Sequence, residues 1–161
     1  MFKLTAVALL VLAAAPKGKG GPAAPQDPCS PDRLKLGEVQ KLIAFDLPKD
    51  CRPKPPAIRV LVRSEKDFGE RMTCDKKAVA GVDFKKVMLV AWLKNVVPNA
   101  TGNDIWDEGG RKVTVVTRQK QICPEDPKVE PSQATVAFLT ETDPVPPEFG
   151  EMTCTVPATC K

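Results

Sequence analysis

Val87 to Leu93 reads VMLVAWL, apolar at every position, with Lys85-Lys86 before it and Lys94-Asn95 after it. A run this short without polar alternation fits a strand covered on both faces. It is therefore expected to be the central strand of the fold, within the stretch Val82 to Leu93. The shorter apolar stretches around it are its expected sheet neighbours and one small helix. The chain of 161 residues has material for one core. Aromatic content is 5% with no Tyr, so that core has to be built from Val, Leu, Ile and Ala, with six Phe and two Trp as bulk.

Six cysteines, Cys29, Cys51, Cys74, Cys123, Cys154 and Cys160, set the second constraint. An even count in a small exported chain implies three disulfides. Metal binding does not fit: there is no C-x-x-C pair, and His is absent, which removes the usual partner ligand.

Export is read from the first residues. Met1-Phe2-Lys3 carries one positive charge, and Leu4 to Ala15 is a small and apolar run ending in three alanines. That is the order of a secretory signal peptide, and the run falls short of the roughly 20 residues that span a bilayer. The expected organisation is a signal peptide over 1–15, a flexible Pro/Gly-rich leader over 16–32 and a single disulfide-stabilised β-rich domain over 33–161. The expected location is outside the cell, in the periplasm or at the cell envelope.

Along the chain, Leu34 to Leu47 is ambiguous between helix and strand: Leu36, Val39, Leu42 and Ile43 recur at helical spacing, whereas Val39 to Phe45 suits a strand. The loop LPKDCRPKPP follows, where prolines remove donors and fix φ. Ile58 to Arg63 alternates as a strand with one wetter face. Ser64 with Asp67 resembles a capping box, and Phe68 and Met72 lie four apart on one side of the short helix that would follow. Cys74, just past that helix, could pin its end to the sheet.

Pro98 to Asn103 is loop material and contains Asn99-Ala100-Thr101, formally a glycosylation sequon. Ile105-Trp106, Glu108-Gly109-Gly110 and Val113 to Thr117 predict a hairpin. Trp106 is either a ligand-stacking ring or, as is commoner, a ring packed across from a neighbouring strand. Ala134 to Leu139 and Met152 to Val156 are the last strands, separated by a Pro-rich bend. If they run up and down as neighbours, Cys123 comes near Cys154 or Cys160.

The order of pieces from Val39 to Lys161 resembles the C-terminal domain of the protease-complex subunit PrcB family. The matching features are VQKLIAFDL, IRVLVRSEKDFGERM, the VDF of Val82-Asp83-Phe84 leading into MLVAW, and two further strands near the end. The resemblance implies a small exported β-rich domain acting as an accessory subunit of a protease complex, with no catalytic residues carried over. It also implies that Val39 to Phe45 is a strand. The fold expected on all these grounds is mostly β with one short helix, an α+β edge case: a small antiparallel sheet, or a sandwich or partial barrel, stapled by disulfides.

Chemistry is narrowed by what is missing. Without His there is no Ser-His-Asp or Cys-His pair, and the only serines, Ser30, Ser64 and Ser132, lie beside prolines or at a helix cap. GKGG at Gly18 to Gly21 lacks the helix and Ser/Thr of a phosphate loop. The net charge of +4 is spread among acids, with no basic stripe interleaved with aromatics, so nucleic acid is not an expected partner. No cofactor or metal is expected.

Two function classes follow. The favoured one is a secreted, non-catalytic binding module, an accessory or inhibitor-like partner of an extracellular protease, with LPKDCRPKPP and ICPEDPKVEP as stiff contact loops held by Cys51 and Cys123. Each loop also has a plainer reading as a tied-down connection. The alternative is a cell-envelope hydrolase using acidic residues only, drawn from Asp104 with Asp107 and Glu108, or Glu141 with Asp143.

Overall fold

The computed structural model describes residues 26–128, 130 and 132–160. The signal-peptide and GKGG readings therefore lie outside the described residues, as does most of the leader. Among the described residues, seven strands form two sheets. β1 (Gln40–Lys41), β4 (Ala100–Asp107), β5 (Lys112–Lys120) and β7 (Glu148–Val156) make one in the order β1-β4-β5-β7. β2 (Arg59–Val62), β3 (Val87–Asn95) and β6 (Gln133–Glu141) make the other, with β3 in the middle.

β3 is covered on both faces, as its unbroken apolar run requires. Leu89 and Ala91 pack with Val60, Val62 and Ala137 against Phe68 and Met72, which belong to helix α2 (Glu65–Arg71) and its C-cap. Val90 and Trp92 face the second sheet and meet Ile105, Val113 and Val115. The outer face of the four-stranded sheet carries a third cluster, in which Val116 and Met152 are covered by Cys29, Leu34 and Leu36. Leu34 ends a short helix α1 (Pro31–Leu34). The molecule is thus two sheets with a helix on one outside face and the N-terminal segment strapped over the other. Gln26 to Asp32, the last part of the expected leader, includes the fully buried Cys29.

Several sequence expectations change in three dimensions. Val39 to Phe45 is not one strand. Gln40 and Lys41 pair with Asp107 and Trp106 of β4, and Leu42 N–H donates to the Ile105 carbonyl. Ala44 then bridges Phe138 of β6, and Phe45 N–H donates to the Ala137 carbonyl at 2.8 Å. The segment therefore crosses from one sheet to the other and closes one side of the sandwich, leaving the opposite side open between β2 and β7. Its mixed pattern follows, because each half packs in a different layer.

Ala100 to Asn103, expected as loop, is the start of β4, with an irregular register between Ala100 and Gly102. Ile58 is 61% exposed and precedes β2, while Leu61, on the expected wetter face, packs into the inter-sheet cluster. β6 and β7 are not neighbours: β6 lies in the other sheet and acts as the crossover that makes β7 parallel to β5. The β4–β5 hairpin forms as expected, its turn using positive φ at Gly109, Gly110 and Arg111.

The cysteines form three disulfides, Cys29–Cys154, Cys51–Cys74 and Cys123–Cys160, with Cα separations of 5.6, 4.9 and 5.4 Å. Cys123 finds Cys160, one of its two expected partners, because β5 and β7 run parallel and end together. Cys74 pins the end of α2 to the loop before β2 rather than to the sheet. Ser64 caps α2 by accepting from Asp67 N–H at 3.0 Å. Asp67 accepts from Arg63 N–H at 3.1 Å, one residue earlier than the N-cap N–H of a full capping box.

Candidate functional site

The loop from Pro48 to Pro56 cannot join a helix or sheet, so its backbone groups need other partners. They find them on the end of α2. Arg52 N–H donates to Thr73 Oγ1 and Thr73 N–H to the Arg52 carbonyl, while Lys54 N–H donates to the Arg71 carbonyl at 2.7 Å. Lys54 Nζ also donates to the Gly69 carbonyl at 2.8 Å. With Cys51 and Pro53 buried and Cys51 bonded to Cys74, the loop is anchored from within. Lys49, Arg52, Lys54, Pro55 and Pro56 are left exposed.

The second Pro-rich loop begins after β5. Cys123 N–H and Asn99 Nδ2 both donate to Asp126 Oδ2, at 2.8 and 2.7 Å, and Cys123 is tied to Cys160. The sequon residue Asn99 thus has its amide engaged in holding this loop. Val96 N–H donates to the Ser132 carbonyl, which joins the β3–β4 connection to the end of the same loop.

Antiparallel pairing places Asn95 opposite Gln133, so the two Pro-rich loops converge on one end of the sandwich. Arg52 lines an open depression with Asn95, Val96, Ser132 and Gln133. It also lines a neighbouring depression of about 210 Å³ with Lys49, Asp50, Leu93 and Gln133. Arg52 and Ser132, eighty positions apart in the chain, therefore flank a shared surface, with Arg52 at its centre. The loop end also carries Lys49 and Arg52, which are exposed and, among the described residues, have no salt bridge.

Below this end, between the sheets, lies a polar cluster. Lys94 Nζ sits 2.9 Å from Glu151 Oε1 and donates to Thr117 Oγ1 at 3.1 Å, and the Thr117 hydroxyl donates to Asn103 Oδ1. Its ammonium also lies 5.2 Å from the Trp92 ring centre. A cavity of about 190 Å³ opens beside it, walled by Val96, Val97, Ala100 and Val136. Sequence reasoning misses Lys94 as a site residue, although Val90, Trp92 and Lys94 share one face at period two, which puts a charge in the inter-sheet core.

The acidic candidates are dispersed among structural contacts. Asp104 is bound by Lys41 at 2.6 Å and by Arg118 Nε. Burial works to raise its carboxyl, and the hydrogen bonds from Lys41 and Arg118 outweigh that, holding it below the ordinary value. Glu108 is in the same position, its burial outweighed by Lys112 and Thr114. Asp107 accepts from Gly109 N–H, and Asp143 caps Val145 N–H and pairs with Arg111. Glu141 is exposed at the end of β6.

Arg118 also grips Asp27 through both terminal nitrogens, at 3.0 and 2.6 Å, fastening the N-terminal strap to the sheet. That contact lowers the Asp27 carboxyl, with help from Cys29 N–H, and raises the Arg118 guanidinium. Trp106 packs into the cluster under the strap. Cys123, Glu125 and Cys160 lie together, but both sulfurs are in a disulfide and cannot ligate a metal.

The chain matches no protein-family model, no curated protein and no solved structure. Three disulfides fit an oxidising compartment, and no helix among the described residues is long and apolar enough to cross a membrane.

Proposed function

We propose that this protein is a secreted or periplasmic, non-catalytic binding module that docks a protein partner at its loop end, as an accessory or inhibitor-like partner of an extracellular protease. The observation that carries the reading is that LPKDCRPKPP meets, at Arg52, Ser132 at the end of the second Pro-rich loop, each loop being tied by its own disulfide. A surface of this kind loses little conformational entropy on binding, because its backbone is already immobilised by cross-links and by hydrogen bonds to α2. Its Lys49 and Arg52, outside any salt bridge among the described residues, suit an acidic face on the partner, which would speed encounter. The PrcB-like order of pieces points to the same class of partner.

The non-catalytic part of the proposal is supported by the carboxylates. A general acid needs a carboxyl pushed up into the working pH range, whereas Asp104 and Glu108 are held down by cations.

The test is a pull-down from culture supernatant of the native host, using the intact protein beside Arg52→Glu and Lys49→Glu variants. A protease-containing complex should be retained by the intact protein and lost or weakened with both variants. Recovery of no partner, or of the same partner at equal yield with the charge-reversed loop, would remove the loop end as the docking surface.

A further inference from the structure

The open side of the sandwich carries two outer strands of different character. β2 is only four residues long. β7 runs nine residues in regular register with β5, without a bulge, a Pro or a Lys from Glu148 to Val156. Its charged residues are Glu148 at its start and Glu151, which turns inward to Lys94, and neither covers the outward row of backbone groups.

Direction of the backbone groups can be assigned. Glu148 N–H donates to the Arg111 carbonyl and the Val156 carbonyl accepts from Gln121 N–H, both on the β5 side. Alternation along the strand then turns the N–H and C=O groups of Phe149, Glu151, Thr153 and Thr155 outward. Among the described residues none of these groups has a hydrogen-bond partner.

A second, independent feature lies beside this edge. The Arg59 guanidinium, from β2, stacks 3.9 Å from the Trp92 ring centre and 4.3 Å from that of Phe149, filling the gap between the two outer strands. Its Nε is buried with no acceptor. Glu151 is near enough to act on its charge but makes no hydrogen bond to it. A positive, planar, forked donor is thus held rigid next to a row of free backbone groups.

We infer that the β7 edge receives an extended peptide segment as an added strand, and that an Asp or Glu carboxylate of that segment is held by Arg59. Backbone pairing along Phe149 to Thr155 supplies the affinity, and the guanidinium selects for an acidic side chain. A bound carboxylate meets the terminal nitrogens of the guanidinium, because the Nε atom itself is buried. This surface is distinct from the loop end, so failure of one does not carry over to the other.

The test uses the disulfide-intact protein and an acetylated Thr/Val-alternating peptide as long as β7, with Glu at its centre, beside the same peptide carrying Gln. On adding the Glu peptide, amide exchange should slow at Phe149, Glu151, Thr153 and Thr155. The Gln peptide should bind about tenfold more weakly, and Arg59→Gln should bring the two peptides to the same affinity. Thr153→Pro removes an outward N–H without touching the β5 ladder, so it should abolish binding while leaving the fold intact. Arg52→Glu should bind the peptide as the unaltered protein does.

Equal affinity for the Glu and Gln peptides, no binding, or binding that survives Thr153→Pro would overturn the inference. So would protection of the four amides that rises with protein concentration alone, since that would assign the edge to a second copy of the chain.

Discussion

Lys94 of β3 and Glu151 of β7 form an ion pair at 2.9 Å that joins the two sheets across their interior, with the lysine side chain 5% exposed and the glutamate 49%. The pair is asymmetric: one charge is buried and the other reaches water. Removing the glutamate leaves the ammonium with Thr117 and the Trp92 face alone, so Glu151→Gln should destabilise by about 1–3 kcal/mol. Lys94→Met, which removes the buried charge and keeps the volume, should lie within about 1 kcal/mol of the unaltered protein or exceed it. Urea unfolding with unchanged slope checks both. A large loss from Lys94→Met would show that the ammonium does more than satisfy Glu151.

Acid should loosen the strap. Asp27 and Asp104 are held below their ordinary values in the folded chain, whereas the unfolded chain protonates its aspartates near about pH 4. A depressed folded value contributes stability that is present above the unfolded value and is lost as pH falls through the folded one. Melting temperature should therefore be flat above about pH 5 and drop below about pH 4. Arg118→Gln should flatten that acid limb, because both carboxylates lose their shared guanidinium. An acid limb of unchanged steepness would contradict this account.

The disulfides should rank by the chain they close. Cys29–Cys154 spans 125 positions, whereas Cys51–Cys74 spans 23. On the chain-entropy model, replacing the first pair by serines should cost about 5 kcal/mol and the second about 3.5 kcal/mol. Thermal unfolding of the two double variants would show the order. Native protein titrated for free thiols should show essentially none, and several reactive thiols would overturn both the cross-linking and the compartment.

Helix α2 should depend on one cap and one ring. Ser64→Ala removes the acceptor for Asp67 N–H and should cost about 1 kcal/mol. Phe68→Ala empties the centre of the cluster beneath the helix and should cost about 3–5 kcal/mol. Chemical denaturation of both variants tests the ratio, and comparable losses would mean that the helix is anchored chiefly by its disulfide and the Pro-rich loop.

Local signals in the chain carried a good part of this. Seven consecutive apolar residues required a strand buried on both faces, and β3 is that strand. Ser64 and Asp67 announced the start of α2, Gly109 and Gly110 the hairpin turn, and an even set of cysteines without His the three cross-links. Each rests on neighbours in sequence, where spacing and stereochemistry decide the outcome.

Only tertiary structure decided how those pieces share surfaces. Val39 to Phe45 divides between two sheets because Gln40 meets β4 and Ala44 meets β6, and no local pattern encodes a change of partner. Parallel pairing of β5 with β7 depends on β6 leaving for the other sheet, and it selects Cys160 over Cys154 for Cys123. Convergence of the two Pro-rich loops at Arg52, and the placing of Arg59 beside the free edge of β7, likewise arise from long-range packing. Such contacts form between residues far apart in the chain, so their geometry belongs to the assembled sheets rather than to any single segment.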